Sequence, residues 1–410
     1  MITTKLNRVH IHNYFKRFAS QESLISEPID PNCGIIIVIP CHNEPNLTDT
    51  LESLLTCTNT TNLVEVIVVV NEKLENDDHE LHKQNLQTIS DFDQWKLDLK
   101  ESHITFHLIE ALDLPKKTAG VGLARKIGMD EALRRFVSID VNGTIACLDA
   151  DCRVSKNYLV AIEEDFNQSN AGLGEMHYEH PFQHENDEGL KKGIINYELF
   201  LRYYVEGLKF AGFPNAIQTI GSCMLVKAST YAKHGGMNKR KAGEDFYFLH
   251  KIIPHEVFKE VKTATVYPSC RVSDRVPFGT GKAQQDWLDQ EEQEYLTYDP
   301  KVFSELKSLL DNSAKFYSED LESVIKRLPA IPKTFLEHHD FIQKIESIKS
   351  NCKTPLQFQK QFFIWFDGFL CMKFVHFVRD KYYPNIAIGE AIQEAGYPWD
   401  QRTGLLISSI

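Results

Sequence analysis

At 410 residues the chain can bury a large core, enough for two structural units or for one α/β domain with a long extension. Hydrophobic residues at 42% and charged residues at 25% exclude a largely disordered chain. A formal net charge of -12 argues against nucleic acid as a partner, because phosphate neutralisation needs a basic surface, yet it leaves room for a local basic pocket.

Residues 1–32 are polar with helical character, and Lys5, Arg8, Lys16 and Arg17 interrupt them, so no secretory leader is expected. The run 35–39 is β-branched and ends at Pro40, the pattern of a strand buried on both faces. Residues 47–55 have helical spacing and 64–70 repeat the buried-strand pattern, which together imply a βαβ unit with a parallel sheet. The polar stretch 72–103, helical around 79–99, reads as an insertion over the sheet edge. A strand at 104–109, a helix at 120–135 and a strand at 144–148 follow, with further strands at 172–177, 219–226 and 261–267. Beyond about Trp287 the pattern is helical to the end. The expected organisation is therefore an N-terminal segment 1–32, an α/β domain 33–285 with a mostly parallel central sheet, and a helical C-terminal extension 286–410.

The most membrane-like stretch, 358–378, is Phe-rich but carries Lys360, Asp367 and Lys373. Each ionised group in hydrocarbon costs about 2.5–3.5 kcal/mol even on lenient scales, so a buried amphipathic helix is expected and no span. Its stripe of Phe358, Phe362, Trp365, Phe366 and Phe369 reads as core. Nine cysteines without a Cys-x-x-Cys pair point to reduced thiols. A cytoplasmic protein is expected, peripheral to a membrane at most.

Asp149-Ala150-Asp151 follows the 144–148 strand at the carboxyl edge of the sheet, where open α/β sheets bind ligands. If the segment is extended, both carboxylates face one way and can share a hard divalent ion with phosphate oxygens. An isolated copy reads more readily as a solvated turn or a helix start. Glu244-Asp245 after Gly243 offers a carboxylate for proton transfer, or an acidic first helical turn, and both readings can hold together. Arg271 and Arg275 stand just before a Gly-rich stretch, 279–282, and suit a diphosphate or an exposed turn. Glu175, His177 and His180 read as residues of a cleft or as satisfied structural groups before they read as metal ligands.

The ordered set Ile39-Pro40-Cys41-His42-Asn43-Glu44, Gly122-Leu123-Ala124-Arg125, Asp149-Ala150-Asp151, Gly235-Gly236-Met237 and Gly243-Glu244-Asp245 resembles the GT-A (Rossmann-like) glycosyltransferases, family 2 in particular. The resemblance covers about residues 34–249. It implies a glycosyltransferase that moves a sugar from a nucleotide-diphosphate-sugar donor to a glycan, lipid-linked or small-molecule hydroxyl acceptor, with inversion and with Mn2+ or Mg2+. It places Pro40, Asn43 and Glu44 in the nucleotide loop, Asn71 at the base and Arg125 toward the nucleotide or diphosphate. Asp149 then lies on the nucleotide side of the metal and Asp151 on the metal directly. Asp245 matches the general base, with Glu244 orienting the acceptor, and Arg271 and Arg275 face the leaving group. The family usually has an acidic residue where Asn71 stands and often a histidine where Pro268-Ser269 stands, so the nucleotide and a third metal ligand stay open. Nucleotidyl transfer to a sugar phosphate is the other enzymatic reading, disfavoured because no Gly-rich, basic loop opens the chain. A non-catalytic nucleotide-sugar-binding module is the third.

Overall fold

The computed structural model describes residues 6, 8–19, 22–75, 78–100, 102–273, 279–290, 294–338 and 340–410. The chain forms two compact units, residues 1–184 with 219–282, and residues 185–218 with 283–410.

The first unit begins with helix α1 (Arg8–Arg17), then alternates β1 (Cys33–Cys41), α2 (Leu47–Leu55), β2 (Leu63–Lys73), α3 (His79–Asp98), β3 (Ile104–Leu114), α4 (Val121–Ser138) and β4 (Thr144–Cys147). The short β5 (Arg153–Val154), α5 (Tyr158–Ala161) and β6 (Leu173–Tyr178) complete the first pass. After α6 (Glu188–Phe210), which belongs to the second unit, the chain returns as β7 (Met224–Lys227), α7 (Ala228–Lys233), α8 (Glu244–Ile252) and β8 (Phe258–Tyr267). The eight strands lie in the order β3-β2-β1-β4-β7-β6-β8-β5. Pairs β1/β2, β2/β3, β1/β4 and β6/β8 are parallel, whereas β4/β7, β6/β7 and β5/β8 are antiparallel. This is the α/β, mostly parallel sheet implied by the pattern.

The segment 72–103 contributes more than an edge decoration, because α3 carries the chain from β2 to its parallel neighbour β3, and a parallel pair requires such a crossover. Polar positions concealed that role. The strand expected at 219–226 is shorter than its apolar run, since Gly221–Cys223 turns as a 3-10 helix before β7 begins.

All nine positions of β1 are buried, as a strand flanked on both sides must be. Pro40 is tolerated in this central strand because β4 pairs with β1 only as far as Val38, so no neighbour there needs the missing N–H. Helix α4 lies across β1 and β2 and is fixed at three levels. Arg135 grips the buried Glu65 of β2 at 2.5 and 2.6 Å. Lys126 and Asp130 bind Tyr14 of α1 at 2.7 and 2.6 Å. Between them Gly128 lets the helix approach, for a Cβ there would stand 2.5 Å from Val38 Cγ1.

The second unit is helical apart from a two-stranded pair, Leu296–Thr297 with Ile386–Ala387. Its buried Glu198 on α6 binds Arg202 at 2.9 Å and Arg402 at 2.8 and 2.9 Å, which ties α6 to the last helix, Gln401–Ile407. The Phe-rich stretch is two helices rather than one, Pro355–Trp365 and Gly368–Lys381, bent by 65°. Asp367 makes the break, capping the second helix by accepting from Leu370 N at 2.9 Å. Phe358, Phe362 and Phe366 are fully buried, and Phe362 stacks on Phe366 at 5.8 Å. Among the described residues no single helix is long and apolar enough to cross a membrane, although this bent pair passes by length and composition together.

Replacing Gly128 by Val should lower stability by about 1–3 kcal/mol, the cost of overpacking a closed helix–sheet contact. Urea unfolding measures it, and an unchanged midpoint would contradict the close approach of α4 to β1.

Candidate active site

The chain runs outward from β1 to β2 and β3, then returns to β4 on the other side of β1. The carboxyl ends of β1 and β4 therefore flank the point where the strand order reverses, the crevice in which such sheets bind ligands. Glu44 follows β1 and Asp149 follows β4, so topology alone brings Glu44 and the acidic triplet to one place.

The triplet is not extended. Leu148 N still bonds to Val38 O at 3.1 Å, and the chain then turns, with Cys152 N on Asp149 O at 3.1 Å. Thr50 of α2 holds the turn by donating to Ala150 O at 2.8 Å. The two carboxylates consequently reach different cations, Asp149 pairing with Arg125 and Asp151 with Arg271 at 3.1 Å.

Arg125 is 3% exposed, so it is a buried guanidinium and not a solvated arginine on the helix surface. Its guanidinium lies between Asp149 and Glu244, bonded to both. Burial alone would lower its pKa, but the charges of Asp149 and Glu244 outweigh that and raise it. Gly221 makes the space, since a Cβ there would come within 2.4 Å of the guanidinium. Arg271 is the second clasp. It pairs with both oxygens of Glu44, whose side chain is fully buried, and with Asp151. Burial works against its charge, and the bonds to Glu44 and Asp151 still raise its pKa.

Asp245 sits beside Glu244 in the first turn of α8, after Gly243 in the left-handed conformation at φ 67°. Phe246 N donates to its Oδ1 at 2.7 Å. Its pKa is pushed up to about 7, first by burial and then by the charge of Glu244, with Arg125 pulling the other way. Five carboxylates here (Glu44, Asp149, Asp151, Glu244 and Asp245) face two guanidinium groups, so a proton on Asp245 or an added cation relieves real repulsion. Among the described residues no group of three or more His, Cys, Asp or Glu side chains is arranged to hold a metal ion. Asp149 and Asp151 by themselves suit a small hard cation that keeps waters and phosphate oxygens in its shell.

Other expected residues are placed differently. Asn43 takes φ 50° and gives its N–H to Asn85 Oδ1 at 2.9 Å. The Asn71 side-chain amide donates to Cys41 O at 2.8 Å, and the backbone carbonyl of Asn71 meets His42 Nδ1 at 2.7 Å, so the residue laces the ends of β1 and β2 together. His177 pairs with Glu179 at 3.0 Å and His180 meets Thr280 at 3.3 Å. Arg275 lies outside the described residues. Sequence reasoning missed Glu72, buried and bound to Asn85 and His82 at 3.0 and 3.1 Å, although an acidic residue closing a β-branched run was the available signal. It also missed Thr50 and Gly221, which no motif marks.

Residues 36–235 match the family described as glycosyl transferase family 2. Glu244, Asp245 and Arg271 lie beyond the matched residues. Structures with a similar arrangement include S. aureus TarS 1-349 in complex with UDP-GlcNAc, at 12% identity and a TM-score of 0.41, covering 77% of this chain and 83% of that one. They also include the mannosyltransferase PcManGT from Pyrobaculum calidifontis in complex with GDP-Man and Mn2+, at 11% identity and a TM-score of 0.38, covering 87% of this chain and 95% of that one. No curated protein sequence matches the chain.

Replacing Arg125 by Met should cost about 3–5 kcal/mol, because it strands Glu244 as a buried unpaired charge. Adding Glu244→Gln to that variant should recover part of the loss. Equal thermal stability of the single and double variants would show that the two side chains are not coupled.

Proposed function

Residues 36–235 belong to glycosyl transferase family 2, and from that premise we propose that the chain moves a sugar from a nucleotide-diphosphate donor to a hydroxyl acceptor, with inversion. The observation that carries the reading is the pair of arginine clasps at the switch point of the sheet. Arg125 joins Asp149 on the donor side to Glu244 on the acceptor side, and Arg271 joins Glu44 to Asp151.

Asp149 and Asp151 are the residues that would hold Mn2+ or Mg2+. Such an ion, when bound, neutralises the departing diphosphate. Arg271, whose side chain is 32% exposed, is accessible to a phosphate oxygen, whereas Arg125 at 3% is enclosed. Arg271 therefore faces the leaving group, and Arg125 acts through the carboxylates it holds. Glu44 keeps Arg271 at the mouth of the nucleotide loop.

On the other side Asp245 takes the proton from the acceptor hydroxyl as that oxygen attacks the anomeric carbon. A carboxylate with a pKa near 7 is a far better base than an ordinary aspartate, and at neutral pH a large fraction is still ionised. The Phe246 N–H fixes one oxygen and leaves the other to the acceptor. Glu244, held by Arg125, raises the basicity of its neighbour.

The sign of the pH dependence follows. Below about pH 7 Asp245 holds its proton and cannot accept another, so kcat/KM for transfer should rise through that pH and level off above it. Asp245→Asn should lower kcat by about 10²–10⁴-fold and abolish that rise; full activity would remove Asp245 from the role. Asp151→Ala should weaken the stimulation by added Mn2+, measured as nucleotide release from UDP- and GDP-sugars. Unchanged metal dependence would remove Asp151 as a ligand.

A further inference from the structure

The exposed charges left unused by this mechanism gather on two loops beside Asp245. Lys116 and Lys117 lie on the loop before α4, and Lys239, Arg240 and Lys241 on the loop before α8, all five exposed. In a chain of net charge -12, such a grouping runs against the background. Lys116 pairs with Glu75 at 3.1 Å on the surface. Lys117, Lys239, Arg240 and Lys241 have no carboxylate partner among the described residues.

The loops are locked to each other and to the candidate base. Gly122 has no side chain where the Arg240 carbonyl passes, and a Cβ there would stand 2.2 Å from that oxygen and 3.0 Å from Glu244 Cβ. Gly120, at φ 152°, faces the Lys241 Cα in the same way, and Lys241 Nζ donates to Lys116 O at 2.9 Å. Asn238 bonds the carbonyl of Glu244 at 2.8 Å through its amide and accepts from Arg240 N at 3.1 Å. The Arg240 guanidinium lies 3.6 Å from the centre of the Tyr247 ring, two residues after Asp245. Lys117, Arg240 and Lys241 are therefore presented at the rim beside Asp245 without an ion pair among the described residues, while Lys239 lines a separate cavity with Glu22, Asp130 and Glu131.

We propose that Lys117, Arg240 and Lys241 bind an anionic group, phosphate or carboxylate, on the acceptor, so that its hydroxyl is presented to Asp245. The proposal rests on the transferase reading and names the acceptor class for it. Guanidinium and ammonium groups on one rim suit a repeated negative charge better than a neutral glycan. Being exposed, they act in a salt-dependent way.

The test uses the full chain and three fluorescein-labelled oligosaccharides of matched length, one phosphorylated, one an oligouronate and one neutral. Fluorescence anisotropy gives their affinities for the unaltered chain and for a Lys117→Gln/Arg240→Gln/Lys241→Gln variant, in low salt and in 0.5 M NaCl (roughly a Debye length of a few Å). The expected result is that at least one anionic probe binds and the neutral one does not, with affinity falling about tenfold or more in the variant and in salt, while donor affinity is unchanged. Comparison of the two anionic probes separates phosphate from carboxylate. Equal binding of the neutral probe, no binding of either anionic probe in low salt, or binding unaffected by the three substitutions would overturn the proposal. So would a loss confined to co-sedimentation with anionic phospholipid vesicles, which would assign the patch to a membrane. Failure to bind any nucleotide sugar is a separate result, and it removes the transferase reading itself.

Discussion

The buried guanidinium of Arg125 is the constraint on which the site depends. It carries one positive charge where Asp149 and Glu244 converge, and neither α4 nor the returning α8 can shift without breaking an ion pair inside the protein. Removing water from such a group is expensive unless its partners are ionised and correctly placed. Much of the surrounding sequence serves that placement. Gly128 sets α4 down on β1, Arg135 anchors its far end on Glu65, and Gly221 clears the volume in which the guanidinium lies. The same charge moderates Asp245, whose proton affinity is raised by burial and Glu244 and pulled down by Arg125.

The fold was legible where burial leaves a one-dimensional trace. The β-branched runs at 35–39 and 64–70 reported strands buried on both faces, and the parallel sheet followed from the helix between them. Helix α3 was recognised as helical but its role was not, because a crossover helix with a wide solvent face has the same composition as an insertion. Asp367 was read as a charge interrupting an apolar helix, whereas it ends one helix and caps the next. Periodicity reports faces. It does not report a cap unless the bend is already known.

Site residues were legible in a different way. The residues of the triplet stood out by type and by position after a strand, but their orientation did not, since the turn held by Thr50 sends the two carboxylates to separate arginines. Arg125 and a surface arginine look alike in a helix, and it is Asp149, Glu244 and the short 3-10 turn at Gly221, all distant in sequence, that distinguish them. Asn71 was marked as the place of a base contact, yet its amide closes the gap between two strand ends, while the adjacent Glu72 is the buried acid. Contacts between residues far apart in the chain decide these cases, and no local pattern encodes them.

The central claim is that the crevice between the ends of β1 and β4 binds a nucleotide-diphosphate sugar through Asp149. Calorimetric titration of the full chain with UDP-sugars and GDP-sugars, with and without Mn2+, tests it most directly when repeated on Asp149→Asn. The account predicts that a nucleotide sugar binds, that Mn2+ tightens it, and that the tightening disappears in the variant. Binding that is equally metal-enhanced without the Asp149 carboxylate, or no binding of any nucleotide sugar, would contradict it.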